Sequence, residues 1–140
     1  MQINGLDFVI MIAIAKMPEN KFRKDMFKSK RKPIGEIWIG ETMGIGEIVR
    51  FAPSACNTQP WITENTGKEL IVYRYKKPGK RGIMPANKVS YYNRIDTGIY
   101  LFMLETCLAH EGYTWERTLF EDDADDSVEK VKIASYRYKR

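Results

Sequence analysis

The sequence contains one histidine and two cysteines in 140 residues, and these residues form no cluster. Cys56 and Cys107 are far apart, without a CxxC pair or a His-Cys grouping. The sequence therefore predicts neither a zinc site nor a disulfide framework, and a reducing, cytoplasmic compartment is expected. His110 falls among apolar residues and is interpreted as a hydrogen-bonded core residue rather than a catalyst. We assign no catalytic side chain and no metal ligand.

Long hydrophobic runs are also absent. The apolar segment at residues 8–15 is too short to span a bilayer, and it lacks the basic leader and the A-x-A-like cleavage site of a signal peptide. Its β-branched, continuously apolar composition predicts a strand buried on both faces, with an opening helix as the alternative. No membrane partner is expected.

Acidic residues are missing between residues 74 and 94, which carry several lysines and arginines. Basic residues also dominate residues 16–32, whereas residues 121–126 are acidic, and the formal net charge is +5. Basic clusters attract phosphate-bearing ligands or nucleic acid, and solvated surface loops are the alternative interpretation. Nucleic acid is not the expected partner, because the only further support comes from four tyrosines suited to stacking, Tyr73, Tyr75, Tyr91 and Tyr92.

The length and composition suit one globular domain, with 44% apolar and 29% charged residues. We predict a single α+β domain over residues 1–140, with a mixed or antiparallel sheet packed against helices. Strands at residues 61–64 and 69–76 flank a turn that contains Gly67, which predicts a β-hairpin. Leu70, Val72 and Arg74 are expected to share one face of the second strand. Two further strands are predicted at residues 113–120 and 128–138.

The longest predicted helix covers residues 93–111, with Gly112 as its C-cap. Its buried stripe is predicted to contain Ile95, Ile99, Phe102, Met103, Thr106, Cys107 and His110. Tyr100, Leu101, Leu104 and Leu108 broaden the stripe until the helix is apolar almost all round, which is typical of a helix at the centre of a domain or in a subunit interface. A shorter helix, with Thr42 as a plausible N-cap, is predicted from the helical spacing of Ile45, Ile48, Val49 and Ala52.

Polar residues are concentrated between two prolines, in a segment that we call the motif loop (residues 53–60). Pro53 and Pro60 restrict the backbone and favour a shaped loop over a continued helix. The hydroxyl and carboxamide groups between them both donate and accept hydrogen bonds. They suit a flat heteroaromatic ligand better than a metal ion or a simple anion. A capped helix end followed by an ordinary turn is the alternative.

Residues 52–61, APSACNTQPW, resemble the APSxxNxQPW signature of the nitroreductase family and match every fixed position. A second stretch at residues 93–99, NRIDTGI, is similar to the IDxGI opening of the long helix in the thermophile and clostridial branch of that family. The RKP at residues 31–33 resembles the lead-in of the same branch. The likeness covers about residues 30–115. We therefore expect a nitroreductase-like domain truncated at its N-terminus, without the family's Arg-Ser segment that holds the FMN phosphate.

The resemblance implies an oxidoreductase that uses FMN to pass hydride from NAD(P)H to a nitroaromatic, quinone or related acceptor. The implied partners are a nicotinamide nucleotide, a small-molecule acceptor and a second copy of the chain in a homodimer. The alternative is a flavin-free, catalytically inactive nitroreductase-like fragment with a binding or structural role.

The residues implied to bind the cofactor are Pro53, Ser54, Ala55, Asn57 and Gln59 in the motif loop, together with Arg50 and Arg31. The first three are expected to line the flavin pocket, and the two amides to reach the ring or the substrate above it. The two arginines are candidates for the FMN phosphate, with surface solvation as the alternative. Cys56 is interpreted as a space-filling residue, with a redox-active thiol as the alternative.

Overall fold

The computed structural model describes residues 2–3, 6–7, 14–21, 25, 28–76, 82–121 and 128–140. The strands are β1 (Gln2–Ile3), β2 (Leu6–Asp7), β3 (Trp38–Ile39), β4 (Trp61–Asn65), β5 (Glu69–Tyr75), β6 (Thr114–Leu119) and β7 (Lys130–Lys139). The α-helices are α1 (Ile34–Ile37), α2 (Gly46–Val49) and α3 (Val89–His110). Short 3-10 turns cover Glu19–Lys21, Ala55–Asn57 and Ala86–Lys88.

The main sheet has the strand order β3-β4-β5-β7-β6. β3 runs parallel to β4, and the other neighbouring strands are antiparallel. β1 and β2 form a separate antiparallel ribbon. The predicted α+β fold with a mixed sheet and helices is therefore confirmed. That residues 1–140 form one domain stays a prediction.

The predicted hairpin is confirmed as β4 and β5, with Thr63 opposite Val72 in the register. Gly67 adopts a φ of 81° in the connecting turn, a conformation that glycine reaches without steric cost. The Asn65 side chain closes the turn by accepting a hydrogen bond from the Gly67 N–H at 2.9 Å. Leu70, Val72 and Arg74 are buried on one face of β5, as predicted.

The predicted centre of the stripe on α3 is wrong, but the four residues predicted to broaden it are buried. The buried face of α3 consists of Asn93, Asp96, Thr97, Tyr100, Leu101, Leu104 and Leu108. Phe102 is 70% exposed, and the His110 side chain is 83% exposed, so His110 is not a core residue. Because the helix is apolar nearly all round, hydrophobic spacing alone could not select the face that packs on the sheet. Within the predicted stripe, Met103 and Cys107 are partly buried against the core. Phe102, Thr106 and His110 are exposed and form the outer face of α3.

Both ends of α3 show how local sequence sets its length. The helix begins at Val89, four positions before the predicted Asn93, and follows the 3-10 turn Ala86–Lys88. At the other end Gly112 has a φ of 77°, and its N–H donates to the Ala109 carbonyl. The Tyr113 N–H reaches back to the Leu108 carbonyl. This is a Schellman motif, so Gly112 ends the helix as predicted.

The shorter predicted helix is reduced to the single turn of α2. Thr42 does not cap it with its side chain; its carbonyl accepts hydrogen bonds from the Ile45 and Gly46 N–H groups. Met43 and Gly44 have φ values of 56° and 74°, which interrupt a right-handed helix at this point. Helical spacing from Ile45 onward was still informative, because Ile45, Val49 and Ala52 are buried.

Several predicted segments lie partly or wholly outside the described residues. Of the strand predicted at residues 8–15, only the last two residues are described. Both are exposed and non-helical, and Ile14 is 93% exposed. The acidic run after residue 121 and the first part of the basic loop, residues 77–81, are also outside the described residues. Among the helices described, none combines the length and apolarity required to cross a bilayer.

The core lies between the sheet and α3. Its residues are Ile37, Trp38, Ile45, Val49, Ala52, Trp61, Leu70, Val72, Tyr100, Leu101, Leu104, Leu108, Ala134 and Tyr136. The Trp61 and Tyr100 rings stack with centroids 4.7 Å apart, and the Tyr100 hydroxyl shares a 2.7 Å hydrogen bond with Thr63. Burial raises the pKa of Tyr100, so the hydroxyl stays neutral in the core. Trp61 directly follows the motif loop, which ties that loop to the core.

Candidate functional site

The motif loop connects α2 to β4 and has an unusual backbone. Cys56, Asn57 and Gln59 have φ values of 50°, 55° and 47°. Left-handed backbone costs a non-glycine residue on the order of 1 kcal/mol or more, so three such residues within four positions need support from the surroundings. Thr58 and Gln59 are buried, whereas Cys56 and Asn57 are exposed. Exposed Cys56 is therefore not the space-filling residue that was predicted.

Hydrogen bonds within the loop supply part of that support. The Ser54 hydroxyl oxygen accepts from the Gln59 N–H at 2.9 Å. The Gln59 amide nitrogen donates to the Asn57 backbone carbonyl and to its side-chain oxygen, both at 3.2 Å. The Gln59 side chain is 3% exposed, so its amide supports the loop from the inside.

The basic segment at residues 30–32 lies along the motif loop. The Arg31 guanidinium donates to the Asn57 side-chain oxygen at 2.8 Å, and the Asn57 amide nitrogen donates to the Lys30 carbonyl at 3.0 Å. The Lys32 N–H donates to Gln59 Oε1 at 2.8 Å, and Lys32 Nζ donates to the Gln59 carbonyl at 3.1 Å. The structure thus brings predicted site residues from two distant segments into one cluster.

Arg50 directly follows α2, three residues before the motif loop, and joins this cluster through Phe51. Its guanidinium lies 5.0 Å from the centroid of the Phe51 ring, and that of Arg31 lies 5.9 Å from the same centroid. Both distances are within the range of a cation–π interaction. Arg50 also forms an ion pair with Glu47 at 3.6 Å. Its Nε is buried and has no hydrogen-bond partner among the residues described.

The N-terminal half of α3 supports the loop from below. Asp96 Oδ1 accepts a hydrogen bond from the Ala55 N–H at 2.9 Å. The Thr58 hydroxyl donates to Asn93 Oδ1 at 3.1 Å. These contacts join the two stretches that carry the family resemblance. The sequence assigned no role to Asn93 or Asp96, although polar residues three apart on an apolar helix are a signal that could have found them.

Burial is the main influence on the Asp96 carboxyl. It raises the pKa above the ordinary value of 3.8, and the Ala55 N–H and the nearby Thr58 hydroxyl act in the opposite direction. The single Thr58 proton cannot serve Asn93 and Asp96 together. Asp96 Oδ2 is accordingly buried without a hydrogen-bond partner in the described part of the chain.

We expect the stability of the protein to respond to pH through Asp96. A raised pKa means that the folded state binds more protons than the unfolded state, so the contribution is fully present below pH 3.8 and is lost as pH rises through the folded-state pKa. The Asp96→Asn variant should therefore gain stability relative to the wild type as pH rises from about 3 to about 7. Urea unfolding at several pH values measures this. The exposed-site variant Glu116→Gln should keep the wild-type pH dependence, and equal dependence in Asp96→Asn would contradict the prediction.

The other predicted residues of the motif loop differ in their exposure to solvent. Pro53 is exposed at the start of the loop, and Ser54 and Ala55 are half-buried. The structure therefore gathers Ser54, Ala55, Asn57, Gln59 and Arg31 in one hydrogen-bonded cluster, with Arg50 beside it. Cys56 lies beside Gly82 of the following basic loop: a Cβ atom added to Gly82 would lie 3.1 Å from the Cys56 Cβ. The described residues include no group of three or more His, Cys, Asp or Glu placed to hold a metal ion.

A separate half-open groove lies between the start of α2 and the end of α3. It has a volume of about 540 Å³ and is lined by Gly44, Ile45, Ile48, Thr106, Cys107, His110 and Glu111. None of the predicted site residues lines it. Burial, followed by the charge of Glu111, raises the pKa of the Cys107 thiol, which favours the protonated, apolar form.

Comparison with known proteins gives one finding of similarity. The sequence model of a protein family described as "Putative TM nitroreductase" matches residues 2–107. The matched region contains the motif loop and the N-terminal half of α3, and it begins well before residue 30, where the motif-based likeness was expected to begin. No curated protein and no solved structure matches the chain at a significant level.

Proposed function

Because the chain belongs to the nitroreductase family, a family of flavin-dependent oxidoreductases, we propose that it binds FMN at the motif loop. The observation that carries the proposal is the cluster that joins the loop to two arginines and to α3. Two sequence stretches with a family resemblance meet there through the Ala55–Asp96 and Thr58–Asn93 hydrogen bonds. A signature without a role at the site would not require hydrogen bonds between the two stretches.

The residues present fit a phosphate-bearing aromatic cofactor. Arg50 Nε is a buried donor without a partner among the described residues, and a phosphate oxygen would satisfy it. Arg31 and Arg50 place two guanidinium groups against one ring, and guanidinium groups match phosphate geometry. The half-buried Ser54 and Ala55 and the exposed Asn57 leave the rim of the loop accessible. We propose that these three residues and Pro53 contact the flavin, and that Gln59 holds them in place from within.

When bound, FMN supplies the hydride chemistry, accepting hydride from NAD(P)H and passing it to a nitroaromatic, quinone or related acceptor. The protein has the tasks of binding and orienting the ring. N–H donors near the ring would stabilise the negative charge that appears on reduction. No acid or base from this chain is required at the site, because the flavin itself accepts and releases the hydride.

The first test is a titration with FMN, followed by visible absorption and by flavin fluorescence. We expect a bound flavin with a perturbed spectrum, and the Arg31→Ala variant should bind with a Kd at least about tenfold higher. Charged hydrogen bonds are worth about 1.5–3 kcal/mol, and 1.4 kcal/mol is about tenfold in Kd. Lys68→Ala, which removes an exposed cation from the hairpin turn, is the matched control. A Kd unchanged by Arg31→Ala but raised by Lys68→Ala would contradict the assignment.

We also propose that the protein forms a homodimer through the outer face of α3. Phe102 is 70% exposed and Ile48 is 39% exposed, and the groove of about 540 Å³ lies one helical turn beyond Phe102. A projecting aromatic side chain and a cavity on the same helix are self-complementary across a two-fold axis, as an isologous interface requires.

The Phe102→Lys variant should be monomeric at concentrations where the wild type is dimeric, because the change places a charge in an apolar interface. Sedimentation equilibrium measures the mass of both proteins. Leu119→Lys alters a residue that is 57% exposed on the edge strand, and this control should leave the dimer intact. A dimer that survives Phe102→Lys and dissociates with Leu119→Lys would place the interface at β6 instead.

A second candidate function, a flavin-free protein with a binding or structural role, has one observation in its favour. The Gln59 side-chain amide already makes hydrogen bonds within the chain through both its oxygen and its nitrogen. It therefore offers fewer hydrogen bonds to a ligand. The FMN titration separates the candidates, because the second predicts no flavin band even with FMN in excess. Free Cys56 and Cys107 support the proposal of a reducing, cytoplasmic environment for either candidate.

A further inference from the structure

Buried polar residues are concentrated at one end of α3. Asn93 is 0% exposed and Asp96 is 4% exposed, and the Thr97 hydroxyl donates to the Asn93 carbonyl at 2.8 Å. Burying a carboxyl group is unfavourable unless hydrogen bonds offset it. Here only one carboxyl oxygen has a partner in the described part of the chain, the Ala55 N–H. The burial cost of this carboxyl is therefore offset only in part, and the hydrogen bond that offsets it is made to the motif loop.

The two α3 contacts enclose two of the three strained residues of the motif loop. Ala55 follows the extended Ser54, with φ of −145° and ψ of 151°, and begins the 3-10 turn. Cys56 and Asn57 come next with positive φ, and Thr58 follows with its hydroxyl bound to Asn93. Strained backbone persists only where the surroundings over-determine it. Asp96 on one side and Asn93 on the other provide this constraint.

We propose that Asp96 is a positioning residue: its acceptor oxygen fixes Ala55 and thereby sets the motif loop in the conformation that receives the flavin. The consequence for flavin binding rests on the proposed function, whereas the effect on the loop does not. The role requires an acceptor oxygen and no negative charge, since a neutral amide offers the same oxygen to the Ala55 N–H. The raised pKa of Asp96 agrees with this, because burial disfavours the charged form.

The test compares two substitutions at this position by two measurements. Hydrogen exchange of the Ala55 amide in the flavin-free protein reports on the loop alone. We expect protection to be lost in Asp96→Ala and retained in Asp96→Asn. The Kd for FMN should rise at least tenfold in Asp96→Ala and stay within about threefold of the wild type in Asp96→Asn. Glu116→Ala, which removes an exposed carboxylate from β6, should change neither quantity.

Each outcome decides the inference. Unchanged Ala55 protection in Asp96→Ala would overturn it, as would loss of protection in Asp96→Asn, which would show that charge is required. If the wild type binds no FMN, the proposed function fails while the exchange result still tests the positioning role. Asp96→Ser, whose hydroxyl is too short to reach Ala55, replaces the alanine variant if that variant does not fold. If neither Asp96→Ala nor Asp96→Ser unfolds cooperatively, Asp96 serves the general stability of the fold, and the positioning role is contradicted.

Discussion

The Trp61→Ala variant is expected to lose about 3–5 kcal/mol of unfolding free energy, the range measured when large buried aromatic residues are truncated. Trp61 is 0% exposed and stacks on Tyr100 at an interplanar angle of 20°, so its removal leaves a cavity between β4 and α3. A protein with a typical stability of about 5–15 kcal/mol would then be marginally folded. Urea unfolding followed by circular dichroism measures the loss.

Trp61→Phe provides a sharper comparison. The indole Nε1 of Trp61 is buried without a hydrogen-bond partner among the described residues, and an unsatisfied buried donor costs about 1–3 kcal/mol. Phenylalanine removes this donor and keeps an aromatic ring against Tyr100, so its cost should be well below that of alanine. Trp115→Ala, at a half-buried site on the edge strand, is the matched control and should also cost less. Equal losses in Trp61→Ala and Trp115→Ala would refute the central role of Trp61.

The Gln59→Ala variant should raise the Kd for FMN by roughly a hundredfold, the equivalent of about 2.7 kcal/mol. One side chain accepts from the Lys32 N–H at 2.8 Å and donates twice to Asn57. Its loss removes the Lys32 N–H hydrogen bond that helps to hold the basic segment against the loop, and it leaves Asn57 without its inner support. Because Arg31 also reaches the loop through Asn57, the proposed phosphate-binding group is displaced as well. Fluorescence titration with FMN measures the effect.

Gln59→Glu separates the two halves of this interaction. The carboxylate keeps an acceptor for the Lys32 N–H but replaces the donor that faces two Asn57 oxygens, so repulsion arises on that side. We expect an intermediate Kd, with Asn57→Ala close to it. Thr118→Ala, on the exposed side of β6, serves as the control with wild-type affinity. Flavin affinity and reduction rate that stay unchanged in both Gln59→Ala and Asn57→Ala would rule out the motif loop as the flavin site.

Local chemistry explains which parts of the fold were predictable. The hairpin followed from Gly67 between two apolar strands, and the end of α3 followed from Gly112, because both residues determine backbone conformation by themselves. The face of α3 did not follow from its sequence. Its core-facing side includes Asn93, Asp96 and Thr97, and a pattern based on apolar residues cannot select a side that buries polar ones.

The site was predictable as a set of residues but not as a geometry. The signature and the basic segment predicted Arg31, Asn57 and Gln59 as site residues, and the fold places them in one hydrogen-bonded cluster. Their hydrogen bonds depend on how residues 30–32 lie against a loop more than 20 positions later, and no local pattern encodes that distance. The role of Asp96 likewise depends on a contact across 41 positions.

The length of α3 links two regions of the fold, the motif loop and the groove. Asp96 supports the motif loop near one end, and Cys107 lines the groove near the other, eleven residues or about 16 Å along the axis. Both contacts lie on one helix, so a displacement of α3 on flavin binding at the loop would also change the groove. Thermodynamic linkage then requires reciprocity: a ligand that is bound more tightly by the dimer must, to the same degree, strengthen the association of its subunits.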